Sequence, residues 1–198
     1  MYKISAIQNA FLFFGRFISS PKTIGAIAPS SPALARQIVD RAEVKNAHTV
    51  LELGPGTGAF TRVITTNLAP DANFIAIEAD PTLAALLRKK MPDVRTVAGS
   101  AEHIQRIMNT YHLPQADCIV SGLPWAIFDS GLQDRILNAA RDALRPGGIF
   151  TTFSYVHAQP MRQAKRFHDK LKCTFRTVQK SPVVWKNLPP AFVFYCEK

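Results

Sequence analysis

The sequence predicts an open, doubly wound α/β sheet with helices on both faces. Three observations carry that prediction. From Thr49 onward, short apolar runs alternate with runs of helical spacing. The first apolar run opens into a loop with three glycines, "ELGPGTG" at residues 52–58. Two β-rich runs end the chain, joined by the Pro-containing turn "KNLPPA" that suits an antiparallel pair.

Taken in order, residues 2–19 place Ile4, Ile7, Phe11, Phe14 and Ile18 at steps of three and four, one face of a helix. Leu12, Phe13 and Phe17 widen that face beyond what a half-buried helix needs. A second helix follows, with Ser31 as N-cap and Pro32 at its first position. Strands are expected near 49–53, 73–78, 94–98, 116–121 and 148–154, and helices near 59–68, 81–90, 101–111 and 131–144. Ser130 and Gln133 fit a capping box for the last of these helices, and "LRPGG" at 144–148 ends it. A basic helix near 158–171 precedes β runs at 173–184 and 191–196. No repeat or domain boundary interrupts the 198 residues, which read as one domain with residues 1–30 as an N-terminal amphipathic segment.

Net charge is +10, and it is uneven. Residues 1–50 hold six basic and two acidic side chains, residues 51–156 nine and ten, and residues 157–198 nine and two. Basic ends around a neutral middle favour an anionic partner. Cys118, Cys173 and Cys196 lack metal or disulfide spacing and read as reduced core residues of a cytoplasmic protein. No signal peptide or run of transmembrane length is seen.

The glycine loop falls after the first strand, where such sheets bind ligands. Gly54, Gly56 and Gly58 read G-x-G-x-G, with Ala59 where the dinucleotide fingerprint needs its third glycine. Glu52 would repel a pyrophosphate but suits a cofactor with a positive centre and an ammonium. Glu78 ends the second strand 20 residues past Gly58, where an acid can accept hydrogen bonds from two ribose hydroxyls. Two acids and three glycines thus describe a nucleoside cofactor without phosphates.

These residues resemble the first motif, E/D-x-G-x-G-x-G, of the class I S-adenosylmethionine-dependent methyltransferases. The resemblance runs from about Thr49 to the C-terminus. It implies a Rossmann-like, seven-stranded, mostly parallel sheet with an antiparallel terminal strand, and S-adenosyl-L-methionine as cofactor. Ala79, beside Glu78, and Gly122, after the fourth strand, join the implied cofactor set. Many relatives carry Asp where Ser100 stands in "VAGSAEHI"; adenine contact then falls to Ser100, Glu102 or the Ala101 backbone. The loop "SGLPW" at 121–125 looks like the N-x-P-Y/F/W loops of amino methyltransferases, with Ser121 in the Asn position and Trp125 as aromatic face.

The two ends narrow the resemblance. "FLFFGRFISSPKTIGAIAPSSPALA", "LRPGGIFTTFSY" and "VWKNLPPAFVFYC" look like segments of small, soluble bacterial phosphatidylethanolamine N-methyltransferases. By that resemblance Ser30 and Ser31 lie near the methionine end of the cofactor, Tyr155 borders the reacting amine, and Asn187 belongs to the turn beside the site. Phe11, Phe14 and Phe17, with Arg16 and Lys22, would face an anionic phospholipid membrane on the inner side of a bacterium. His157 reads as a solvent-facing residue at a helix start. The competing expectations are an rRNA adenine N6-methyltransferase, a small-molecule amine methyltransferase, and a non-catalytic membrane- or nucleic-acid-binding module. Against the first stand the missing Asn of "SGLPW" and the absence of an added C-terminal helical domain.

Overall fold

The computed structural model describes residues 30–198. Phe11, Phe14, Arg16, Phe17 and Lys22 therefore lie outside the described residues. Within them, helix α1 (Pro32–Arg41) starts at Ser31, whose hydroxyl accepts from Leu34 N at 3.2 Å. Strand β1 (Thr49–Leu53) leads to α2 (Ala59–Thr65), and β2 (Asn73–Glu78) to α3 (Pro81–Lys90). Next come β3 (Thr96–Ala98), α4 (Ile104–Thr110), β4 (Ala116–Ser121) and α5 (Ser130–Ala143). The chain ends with β5 (Leu144–Tyr155), α6 (Arg162–Thr174), β6 (Thr177–Lys180) and β7 (Ala191–Glu197).

The strands form one sheet in the order β3-β2-β1-β4-β5-β7-β6. Strands β1 to β5 pair in parallel, and β7 runs against both neighbours. Order reverses between β1 and β4, which places the crevice for a ligand above their carboxyl ends.

Side chains alternate across the sheet. Leu51 and Leu53 point into the core packed by α4, α5 and α6, whereas Val50 packs with Leu34, Ile38, Phe60 and Ile64 of α1 and α2. Glu52 therefore shares the α1/α2 side with Val50. Helix α3 seals the β2 end of that side through Leu87 against Ala76.

Several expected boundaries move. The cap of α5 is Asp129, which accepts from Leu132 N at 2.9 Å; Gln133 instead donates to the Trp125 carbonyl at 2.7 Å. Residues 101–111 split into a 3-10 turn at Ala101–His103 and α4. "LRPGG" pairs at the start of β5, bulged between the Ala116 and Cys118 registers, with Gly147 at φ 72°. The 173–184 run begins inside α6 and leaves only four residues in β6. Cys173 is accordingly exposed on that helix, while Cys118 and Cys196 are buried. No described helix is long and apolar enough to cross a membrane.

Candidate active site

The glycine loop is held from both sides. Gly54 N donates to the Ile77 carbonyl at 2.9 Å, and Gly122 N to the Leu53 carbonyl at 2.8 Å. Gly54, Gly56 and Gly58 have φ of 70°, 54° and 87°, a region that L side chains occupy only with strain. A Cβ on Gly54 would meet Leu123 Cδ2 at 2.8 Å, and one on Gly122 would sit 2.6 Å from the Gly54 carbonyl oxygen. The loops after β1 and β4 thus touch through bare backbone.

Glu78 Oε2 accepts from Gly56 N at 3.0 Å, and Oε1 from Asp80 N at 3.1 Å. Burial raises its pKa, and these backbone donors oppose the rise. Ala79 follows, partly buried against the α4/α5 side of the core.

Glu52 is different. Both of its carboxylate oxygens are buried with no hydrogen-bond partner among the described residues. Burial pushes its pKa up to about 8; Thr61 on α2 offsets part of the rise without reaching hydrogen-bond geometry. Buried without a partner, Glu52 keeps its proton at neutral pH, and a cation beside the bare-backbone loop would let it ionise. An ammonium group is such a cation and a phosphate is not.

Past β3, the Ser100 hydroxyl accepts from Glu102 N at 3.2 Å and donates to Glu102 Oε2 at 3.1 Å. Glu102 also pairs with Arg135 of α5. Both side chains are engaged where they stand, and Ala101 is buried beside them.

Where the sequence places the acceptor, Tyr155 ends β5 on the side shared with Glu52. Its ring meets Phe153 edge-on at 5.5 Å and stacks on the exposed His157 at 5.6 Å. Phe60 of α2 bridges the halves, 5.8 Å from the Phe153 ring and 3.5 Å from where a Gly122 Cβ would lie. Burial pushes the Tyr155 phenol up to about 12, so it stays protonated at neutral pH.

Trp125 departs from its expected role. It is 3% exposed, stacked on Phe167 of α6 at 4.7 Å, with its indole N–H donating to Thr152 Oγ1 at 2.9 Å. It lies on the α4/α5/α6 side, opposite to Glu52 and Tyr155, so both its faces and its polar handle serve the core. Thr152 passes the link on, donating to the Ser121 carbonyl at 3.2 Å. The Ser121 hydroxyl is buried and accepts from Leu123 N at 3.4 Å. Thr152 and Gln133, absent from the expected set, therefore hold the backbone of the loop that carries Ser121 and Gly122; nothing local in the sequence marks them.

Asn187 gains a physical role. Its Oδ1 accepts from Ser31 N at 2.8 Å, and its amide donates to the Pro189 carbonyl at 2.7 Å. Ser30 and Ser31, half-buried, are thereby fastened to the loop between β6 and β7.

The chain is similar to several known proteins. The family model for ribosomal RNA adenine dimethylase matches residues 30–115. An ornithine lipid N-methyltransferase from Singulisphaera acidiphila is 34% identical over 96% of this chain and 96% of its own length. The chain belongs to the class I S-adenosylmethionine-dependent methyltransferases. The methyltransferase is also 35% identical to a probable dimethyladenosine transferase from Dictyostelium discoideum, but over 54% of this chain and 32% of that protein. An O-methyltransferase from Bacillus cereus, solved in complex with SAH, superposes with a TM-score of 0.68 over 100% of this chain and 93% of that one, at 16% identity. That likeness is one of fold.

Its cofactor is S-adenosylmethionine, and the residues present fit that group. Glu52 would hold an ammonium, the Gly54–Gly58 backbone would admit the nucleoside closely, and Glu78 would meet the ribose. S-Adenosylmethionine supplies a methyl group already activated on a sulfonium. What remains for the chain is alignment, and an oriented pair can gain ~7–11 kcal/mol over a free encounter.

Proposed function

We propose that this methyltransferase methylates the primary amine of a membrane lipid at the bilayer surface. The observation that carries the reading is the end-to-end similarity to a lipid N-methyltransferase, with each chain covered to 96%. Phosphatidylethanolamine, read from the terminal segments, and ornithine lipid, named for the relative, both present such an amine. The protonated Tyr155 supports the same chemistry: its oxygen accepts an N–H of the neutral amine and leaves the nitrogen lone pair free to attack. No strong base is needed, because water takes the released proton.

Labelled methyl from S-adenosylmethionine is offered with phosphatidylethanolamine vesicles, ornithine lipid vesicles and rRNA. Label is expected in lipid, and incorporation into rRNA alone would overturn the reading. The rRNA reading is favoured by the match of residues 30–115 to the adenine dimethylase model. Yet the chain spans only about a third of the length of the Dictyostelium dimethyladenosine transferase, at 32%.

Tyr155→Phe is expected to lower kcat ~3–10-fold, the worth of one hydrogen bond, with cofactor affinity unchanged. Steady-state kinetics and calorimetry check the split, and an unaltered kcat removes the hydroxyl from the reaction. Residues 1–19 supply a membrane contact in this reading. Their deletion should weaken co-sedimentation with anionic vesicles, and undiminished binding would show that the segment is no anchor.

A further inference from the structure

Six large hydrophobic side chains stand out into solvent among the described residues: Leu86, Tyr111, Ile127, Met161, Trp185 and Leu188. Four of them lie on three loops at one rim of the sheet. Ile127 follows β4, at 46% exposure, and Met161 follows β5, at 51%. Trp185 and Leu188, each 74% exposed, lie between β6 and β7. Register places that last loop on the same rim, since Ala191, where β7 begins, pairs with Tyr155, where β5 ends.

The 184–190 tip is built, not loose. Val184 N donates to the Ala191 carbonyl at 2.7 Å, and Asn187 N to the Val184 carbonyl at 3.2 Å. Pro190 accepts from Val156 N at 2.9 Å, and Asn187 turns inward onto Ser31. Trp185, Lys186 and Leu188 are left facing outward. Holding a tryptophan and a leucine three-quarters exposed on a fixed backbone leaves apolar surface in water with no folding benefit. Trp is the side chain suited to a boundary that is apolar on one side and wet on the other.

The surrounding charge indicates what lies beyond that boundary. Residues 156–190 contain eight Lys or Arg and one acid, Asp169. Arg162, Lys165 and Arg166, just after Met161, are exposed and make no ion pair with other described residues, as does Lys186 at the tip. Each such cation near an anionic leaflet contributes ~1 kcal/mol.

We propose that the 184–190 tip docks this rim onto an anionic phospholipid bilayer, with Trp185 and Leu188 entering the interfacial zone beside Met161 and Ile127. The inference rests on the lipid-acceptor reading and adds to it: the bilayer is met at the mouth of the site, next to Tyr155, independently of residues 1–19.

The chain has two tryptophans, and Trp125 is buried, so Trp185 supplies the solvent-exposed emission. The full chain is mixed with S-adenosylmethionine and vesicles of phosphatidylglycerol, phosphatidylethanolamine and ornithine lipid carrying brominated acyl chains. A blue shift and quenching are expected, and Trp185→Phe should lose the shifting component. A Trp185→Gln/Leu188→Gln double variant should bind vesicles ~10-fold more weakly or worse with an unchanged thermal midpoint. Unshifted, unquenched Trp185 emission in protein that sediments with the vesicles overturns the docking, as does full binding by the double variant. Insertion into vesicles whose lipids receive no methyl would leave the docking and remove the lipid-acceptor reading. Methyl transfer to vesicle lipid with Trp185 unshifted would do the reverse.

Discussion

Gly122→Ala should reduce methyl transfer at least ~100-fold, because the new methyl group has nowhere to go. Its Cβ would lie 2.6 Å from the Gly54 carbonyl oxygen, a backbone atom that cannot rotate away. The two loops would have to part, yet Gly122 N and Gly54 N are each bonded to a neighbouring strand, at 2.8 and 2.9 Å. Overpacking of this kind destabilises by ~1–3 kcal/mol. The larger effect is on alignment, where a displacement of about 1 Å can cost ~100-fold in rate. Gly54→Ala adds backbone strain at φ 70°, but its clash is with the mobile end of Leu123, so its steric part should be milder. Turnover, thermal midpoint and cofactor calorimetry on the Gly122 variant check this. Wild-type turnover with an unshifted midpoint would mean the loops are not in contact.

Glu52→Gln should act in opposite directions on binding and on stability. Losing the carboxylate removes a charged hydrogen bond of ~1.5–3 kcal/mol, so cofactor affinity should fall ~10–150-fold. The cofactor-free protein should become more stable at alkaline pH. The folded pKa is about 8 against an ordinary 4.5, so between those values the folded chain keeps a proton that the unfolded chain has lost. Stability therefore falls as pH rises through this window. The penalty is complete above pH 8, at roughly 3–6 kcal/mol. Glu78, also raised by burial, adds to the same slope. Thermal midpoints of the cofactor-free wild type and variant from pH 5 to 9 should diverge upward in pH, with the variant higher. Parallel curves would show that Glu52 is not buried as a carboxylic acid.

Why some of this was legible in the sequence and some was not follows from separation along the chain. The glycines, Glu52 and Glu78 sit at fixed offsets around one strand–loop–helix unit, and short apolar runs separated by runs of helical spacing report the parallel strands directly. The family resemblance supplied the seven-strand count and the antiparallel strand. Sidedness is harder. Trp125 follows a loop whose residues do not say which side of the sheet it will face, and the partner that claims it, Phe167, lies on α6. Asp129 and Ser130 are adjacent candidates for one cap, and Gln133, the would-be capping-box partner, was drawn off by the carbonyls of the preceding loop. The contact that explains Asn187 spans 156 positions to Ser31. The short β6 is hidden in a longer β-prone run because α6 extends to Thr174.

The antiparallel β7 has a consequence for where substitutions can be absorbed. By reversing direction it delivers the final connection to the edge where every crossover from the parallel strands already begins. The opposite edge keeps its own fastenings: Asp117 binds the backbone of His48 and Thr49 and the guanidinium of Arg145, and Arg95 covers the Tyr111 ring. The proposed acceptor contacts and the fastenings of the scaffold thereby fall at opposite ends of the strands, so that a substitution in the loops of one rim need not loosen the other.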